Sequence, residues 1–204
     1  MKNTVVIIGF DEVGRGSLAG PVVVGCVLRE IDSFLHLPRN VIIRDSKRMT
    51  RLQRKKTYDF ITQNFPSAVG KVKASEVDEL GIVKATTVAA QKAWKALTSK
   101  IDLSKKIVKI TVDGKEPWIP GCKTVIGGDS LITEISMASI VAKVTRDNEM
   151  AEMSKTYPQW GFECHVGYGT KLHCNMIRKH GLLEGIHRRS FCSRLIKQLR
   201  IPHH

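Results

Sequence analysis

Acidic side chains end three segments that the sequence predicts to be strands. The first segment ends at Asp11 with Glu12, the second, ITVDG, ends at Asp113, and the third, VIGGD, ends at Asp129. In sheets covered by helices, reactive groups collect at strand ends. Four carboxylates gathered there would repel one another unless cations lay between them, and hard oxygen ligands suit Mg²⁺ or Mn²⁺. The pattern therefore predicts a divalent metal site.

Each acid alone also has an ordinary structural explanation. VDG at Asp113 is a common turn, GGDS at Asp129 fits the start of a helix, and the DE pair fits an exposed loop tip. The metal-site prediction depends on convergence of the four side chains, which spacing along the chain does not establish.

The chain is strongly basic, which indicates a polyanionic partner. Its 204 residues include 33 Lys and Arg against 19 Asp and Glu, a net charge of +14. Nucleic acid is the first candidate partner and an anionic lipid surface the second. A basic protein with an acidic metal pocket has the arrangement expected for phosphodiester cleavage, because Lys and Arg bind phosphates while metal ions activate water.

The cysteines and apolar segments predict a cytoplasmic protein without a membrane span. The five cysteines are scattered and form no CxxC pair, so we expect no disulfide framework. Zinc-ligand residue types at 164–165 and 173–174 lack finger-type spacing, and we interpret Cys164, His165, His173 and Cys174 as ordinary residues. The VVII run is too short for a signal peptide, and no apolar stretch approaches about 20 residues.

The apolar pattern predicts an α/β fold, in which helices flank a mixed sheet and a helical C-terminal part spans about 156–204 of a single domain. We expect strands at 4–10, 20–28, 67–75, 106–114 and 123–130, and helices at 50–65, 75–80, 82–97 and 133–155. Thr50 and Ser75 are the expected N-caps. Small side chains on the last of these helices would let it pack closely on the sheet; they are Ser136, Ala138, Ser139 and Ala142.

Six motifs resemble the type 2 ribonuclease H family, whose bacterial members are ribonuclease HII. They are GFDEVGRGSLAGPVV, RDSKRMT, ITVDG, GGDS, ISMASIVAKVTRD and HVGYGT. The resemblance extends to HRRSF at 187–191, and several ordered motifs are far more specific than one short pattern. It implies a ribonuclease H-like fold and a metal-dependent endoribonuclease. Such an enzyme cuts the RNA of RNA–DNA hybrids and cuts 5′ of single ribonucleotides in duplex DNA, leaving 3′-hydroxyl and 5′-phosphate ends.

The resemblance also implies roles for individual residues. It maps a site for two Mg²⁺ or Mn²⁺ ions onto Asp11, Glu12, Asp113 and Asp129. It places the GRG turn at 14–16 against the nucleic acid beside the RNA–DNA junction, and an aromatic ring against the sugar there. The residues implied to bind substrate are Gly14, Arg15, Gly16, Lys47, Lys143 and Tyr168.

Two positions need a separate interpretation. Asp147 is a fifth acid, but it lies about 27 Å of helical rise beyond Asp129, so we expect it to pair with basic neighbours. Gly127 stands where the family commonly has a lysine, two residues before the last acid. That difference removes a local cation but no metal ligand.

Two other functions stay open at this point. A type 3 ribonuclease H would usually carry an additional N-terminal domain, whereas the first strand here begins at residue 4. A non-catalytic module that binds RNA–DNA duplexes would not need all four carboxylates. We expect a monomer that acts on RNA–DNA hybrids and on DNA containing ribonucleotides, and no membrane association.

Overall fold

The computed structural model describes residues 4–31, 37–39 and 41–195. The strands are β1 (Thr4–Val13), β2 (Val22–Glu30), β3 (Ser67–Val72), β4 (Lys106–Asp113) and β5 (Lys123–Val125). The helices are α1 (Arg51–Asn64), α2 (Ala74–Leu80), α3 (Ile82–Thr98), α4 (Gly128–Leu131), α5 (Thr133–Thr156), α6 (Phe162–His165) and α7 (Lys171–His180). Single 3-10 turns lie at Ser46–Arg48 and Pro158–Trp160.

The five strands form one mixed sheet in the order β3-β2-β1-β4-β5. β2 is antiparallel to β1 and β3, whereas β4 is parallel to β1 and β5. Phe10 of β1 lies opposite Val112 of β4, so the next residues along these strands are Asp11 and Asp113. The predicted mixed sheet is confirmed, and its register brings two of the predicted acids side by side.

Helices α3 and α5 cover opposite faces of the sheet. On one face, Val6, Ile8 and Phe10 join the core with the small residues of α3. On the other, Gly25 lies so close to α5 that a Cβ atom there would be 2.5 Å from the Ala138 carbonyl oxygen. The predicted close packing of the small residues of α5 is confirmed, and a glycine on the facing strand makes it possible.

Local hydrogen bonds decide where the helices begin. The predicted N-cap Thr50 is confirmed: its hydroxyl accepts from the Gln53 N–H, and the Gln53 side chain accepts from the Thr50 N–H. The predicted N-cap Ser75 is wrong, because α2 begins at Ala74 and Ser75 lies inside it. Its N-cap is Lys73, whose N–H donates to the Glu76 carboxylate over 2.9 Å.

The C-terminal part is helical, as predicted. α6 and α7 pack with the end of α5 around a small apolar cluster of Ala19, Met150 and Phe162. Residues 196–204 of the predicted helical part lie outside the described residues. Within the described residues, no helix combines the length and apolar character needed to cross a membrane.

Candidate active site

Three carboxylates converge where β1 and β4 run side by side. Asp11, Glu12 and Asp113 each have an oxygen within 4.8 Å of the other two. The sequence predicted a first strand that ends before these acids. In the structure, Asp11 and Glu12 lie within β1, opposite Gly25 and Val24. The antiparallel ladder with β2 continues past the apolar run, and this carries both acids into the sheet.

Asp129 approaches the cluster from a short helix. The prediction that it ends a strand is wrong, because β5 stops at Val125 and Gly127 turns the chain with a φ of 68°. Asp129 is therefore a buried residue of α4. The Gly128 N–H donates to Asp113 Oδ1 over 2.7 Å and ties α4 to the end of β4.

Burial raises the pKa of each clustered acid. The pKa of Asp11 lies well above its ordinary 3.8, because burial and then the charge of Glu12 outweigh a hydrogen bond from Ser139. Burial also raises the pKa of Glu12 against the opposing charge of Arg15. For Asp113, burial raises the pKa against the Gly128 hydrogen bond, and the charge of Asp129 adds to the rise. The cluster thus resists full ionisation unless a cation binds to it.

Two polar contacts support the acids from the segment before α1. Lys47 Nζ lies 3.4 Å from Asp129 Oδ2. Partial burial would lower the pKa of Lys47, but the charge and hydrogen bond of Asp129 raise it. The hydroxyls of Ser46 and Ser139 lie 2.9 Å apart, and Ser139 also bonds to Asp11. A cation therefore stands beside Asp129 although residue 127 is glycine.

All six residues predicted to bind substrate line one cleft of about 430 Å³ together with Asp11 and Glu12. They are Gly14, Arg15, Gly16, Lys47, Lys143 and Tyr168. An Arg15 guanidinium nitrogen lies 3.8 Å from a Glu12 carboxylate oxygen, and Lys143 Nζ lies 5.9 Å from the centroid of the Tyr168 ring. The structure therefore brings the predicted reading turn next to the predicted metal site.

Asp147 pairs with a basic neighbour, as predicted. Its Oδ1 accepts from Lys143 Nζ over 2.9 Å, one turn earlier on α5. This ion pair places part of the positive charge of Lys143 against Asp147 rather than against the cleft.

Four residues support the site in ways that were not predicted from the sequence, where Ser139 was noted only as a small side chain. Ser46, Ser139, Arg146 and Arg188 all lie within motifs that carried the resemblance. The arginines resembled surface residues of a basic protein, yet both are fully buried. Their motif membership was the signal that could have found them.

The Ribonuclease HII family model matches residues 8–194. This chain belongs to the ribonuclease HII family. Ribonuclease HII of Fusobacterium nucleatum subsp. nucleatum is 40% identical over 195 residues, which cover 94% of this chain and 87% of that protein. Ribonuclease HII of Vibrio vulnificus strain YJ016 is 42% identical over 190 residues, which cover 91% of this chain and 85% of that protein.

Solved structures of ribonucleases H share this fold. The crystal structure of ribonuclease H2 from Pyrococcus horikoshii OT3 matches with a TM-score of 0.75 and 26% identity, over 97% of this chain and 100% of that one. A crystal structure of Bst-RNase HIII in complex with Mn²⁺ shares the fold, with a TM-score of 0.71 and 17% identity, over 97% and 71% of the two chains.

Family membership decides between the functions left open by the sequence. As a ribonuclease HII, the chain is an endoribonuclease that acts on RNA–DNA hybrids and depends on divalent metal ions. The family model is that of the type 2 enzyme, so the type 3 alternative is set aside, as is a module without catalysis.

Proposed function

We propose that this chain cuts on the 5′ side of ribonucleotides embedded in duplex DNA, in addition to cutting RNA–DNA hybrids. The products would carry 3′-hydroxyl and 5′-phosphate ends. The observation that supports this proposal is the shared cleft, in which the GRG turn and Tyr168 stand beside Asp11 and Glu12. A group that reads one sugar and a group that cuts the adjacent phosphodiester must lie this close together.

The acids fit a hard divalent cation. Asp11, Glu12 and Asp113 offer mutually close carboxylate oxygens, and Asp129 is near enough for its charge to raise the pKa of Asp113. Oxygen donors of this kind suit Mg²⁺ or Mn²⁺. We propose that these four residues hold the metal, which when bound supplies activation of the attacking water and stabilisation of the departing 3′ oxygen.

The residues around the acids would select and hold the substrate. Gly14 turns the chain at a φ of 86°, and Gly16, which has open space around it, allows the backbone to approach a sugar closely. We assign Arg15 to the ribose, because a 2′-hydroxyl is what distinguishes RNA from DNA at one position. Tyr168 would pack against the neighbouring sugar.

The two lysines of the cleft would have different roles. Lys47 is the more exposed of the two, with 80% of its side chain accessible, whereas Lys143 is largely buried against Asp147. We therefore assign Lys47 to phosphate contact and Lys143 to support of the site.

The five free cysteines support a reducing, cytoplasmic setting for this activity.

The test maps cuts in three duplexes of the same sequence: one with a single ribonucleotide, one RNA–DNA hybrid and one all-DNA. We expect Mg²⁺- or Mn²⁺-dependent cleavage 5′ of the single ribonucleotide, an extendable 3′-hydroxyl, and no cleavage of all-DNA. Arg15→Ala should reduce cutting of the single-ribonucleotide duplex, whereas Arg178→Ala on exposed α7 should not. Cleavage on the 3′ side, or equal cleavage of all-DNA, would contradict the proposal.

A further inference from the structure

Two arginines beside the cleft are fully buried. Arg146 lies on α5 and Arg188 in the segment after α7, and neither has any exposed surface. Among the residues that the structure describes, neither guanidinium has a carboxylate within ion-pair distance. Burial of a cation without an anion carries a large desolvation cost, so hydrogen bonds must hold these charges in place.

All six guanidinium hydrogen bonds go to backbone carbonyls. Arg146 donates from Nε to Pro21 (2.9 Å), from one terminal nitrogen to Ala19 (3.0 Å) and from the other to Val166 (2.7 Å). Arg188 donates twice to Gly20, over 3.1 and 2.9 Å, and once to Arg15, over 3.0 Å.

These carbonyls belong to two segments, the reading loop (residues 14–21) and the tyrosine segment (residues 166–168). The two segments also bond directly, since the Leu18 and Ala19 N–H groups donate to the Gly167 carbonyl over 2.8 and 3.2 Å. A Cβ atom added at Gly167 would collide with the Ala19 carbonyl. Arg146 bonds to both segments, and its guanidinium lies 5.5 Å from the Tyr168 ring centroid.

We propose that Arg146 and Arg188 are positioning residues for ribonucleotide selection. They set the reading loop, including the Arg15 backbone, at a fixed distance from the Tyr168 ring. This inference rests on the proposed function, because it explains how the two reading groups keep their spacing. The acids lie on β1, β4 and α4, outside the arginine contacts, so loss of the contacts should change selection more than hydrolysis.

The guanidinium shape is required for this role. A planar guanidinium carries five N–H donors in a fixed fork and can bond several carbonyls at once, whereas a lysine ammonium is a point charge on a flexible stem. Arg188→Lys therefore keeps the charge and removes the fork. Arg189, the exposed neighbour, provides the matched control in Arg189→Lys.

The experiment measures the ratio of cleavage rates for a single-ribonucleotide duplex and an RNA–DNA hybrid. We expect Arg188→Lys to lower this ratio by about ten- to hundredfold, the loss typical of a displacement near 1 Å. Arg189→Lys should keep the wild-type ratio. A folded Arg188→Lys protein with the wild-type ratio would overturn the inference.

A second pair of variants decides the matter if Arg188→Lys does not fold. Gly167→Ala and Gly185→Ala both place a side chain at positive φ, 82° and 71°. Only the first forces a Cβ atom against the reading loop, because the second meets open space. Gly167→Ala should lower the ratio and Gly185→Ala should not; equal ratios in these two variants would also overturn the inference.

The same measurements separate this inference from the proposed function. A wild-type enzyme that does not cut the single-ribonucleotide duplex overturns the proposed function and, with it, the inference. If the wild-type enzyme cuts that duplex and the variants have the same rate ratio as their controls, only the inference is overturned.

Discussion

Two groups of buried or partly buried titratable side chains differ in how their charges are satisfied. The acid cluster of Asp11, Glu12 and Asp113 brings three carboxylates of like charge close together. The histidine cluster of His165, His173 and His187 lies behind Tyr168 and is also buried. Burial favours the neutral form in both groups, because it raises the pKa of Asp11 and lowers the pKa values of His173 and His187.

The histidine cluster is satisfied by the protein itself. His173 Nδ1 contacts the Tyr168 carbonyl over 3.0 Å, and its Nε2 lies 3.1 Å from His187 Nε2. His187 Nδ1 accepts from the Leu183 N–H, and His165 stacks on His173 with ring centroids 4.0 Å apart. These contacts leave the rings as a neutral scaffold. Asp11 and Glu12 instead line an open cleft, and the like charges of the acid cluster favour binding of a cation. Burial is common to both clusters, so what distinguishes the structural cluster from the proposed binding site is whether protein groups satisfy its polar atoms.

The largest effect should come from removing one carboxylate of the acid cluster. Asp113→Asn preserves the shape of the side chain but removes a charged oxygen donor, so cleavage should fall below detection. Duplex affinity should survive, because phosphate contacts with Lys and Arg supply most of it. Asp102→Asn, on an exposed loop before β4, is the control and should cleave normally. Near-normal turnover of Asp113→Asn at saturating Mg²⁺ would contradict the metal-site assignment.

Mg²⁺ should stabilise the protein, and more so as the pH rises. Between the ordinary pKa of Asp, 3.8, and the raised native values, the native state binds more protons than the unfolded chain. The free energy of unfolding of the metal-free protein therefore falls as the pH rises through this window. Mg²⁺ replaces those protons, so its stabilisation grows through the window and then levels off.

Thermal unfolding measures this effect. At a hundredfold excess of Mg²⁺ over its Kd the gain should be about 2.7 kcal/mol. Asp113→Asn should lose most of the gain and Asp102→Asn should keep it. A Tm shift that is the same at all pH values would show that Mg²⁺ acts elsewhere.

The histidine cluster should give the opposite pH dependence. Burial lowers the pKa values of His173 and His187 from 6.5 to about 4. Between these values the unfolded chain binds more protons, so the free energy of unfolding falls as the pH decreases from 6.5 toward 4. His187→Gln should reduce this loss of stability, so that its Tm decreases by a few degrees less than the wild-type Tm over the same pH range. His180→Gln, at an exposed position on α7, should leave it unchanged, and an equal slope in both variants would contradict the interpretation.

The sequence predicted those features that depend on neighbours along the chain. The helix start at Thr50 was predicted, and the structure shows its local cause, because Thr50 and Gln53 lie three residues apart and bond to each other. The long helix α5 was also predicted, and its small residues predicted its close packing on the sheet. The position of Asp129 was predicted wrongly. A left-handed turn at Gly127 separates Asp129 from β5, and such a turn leaves no pattern in the apolar residues.

The convergence of the site could not be predicted from local pattern. It depends on the register that sets Phe10 opposite Val112, which is a property of two distant strands. The residues proposed to bind substrate were predicted from resemblance to a family rather than from their own chemistry. Burial of Arg146 and Arg188 is likewise tertiary, since their charge alone predicts exposure.

The smallest effect on stability should come from Lys47, which lines the cleft beside Asp11 and Glu12. Its side chain is 80% exposed, so the ion pair with Asp129 should contribute less than about 1 kcal/mol to stability. Lys47→Gln should therefore leave the Tm nearly unchanged. If Lys47 contacts a phosphate, the variant should bind the duplex more weakly, and its log–log salt slope should be shallower by about 0.9. Lys92→Gln on α3 is the matched control, because it removes the same charge from an ion pair with Glu76 on the opposite face of the sheet from α5. Equal salt slopes for the two variants would mean that Lys47 supports Asp129 but does not touch the nucleic acid.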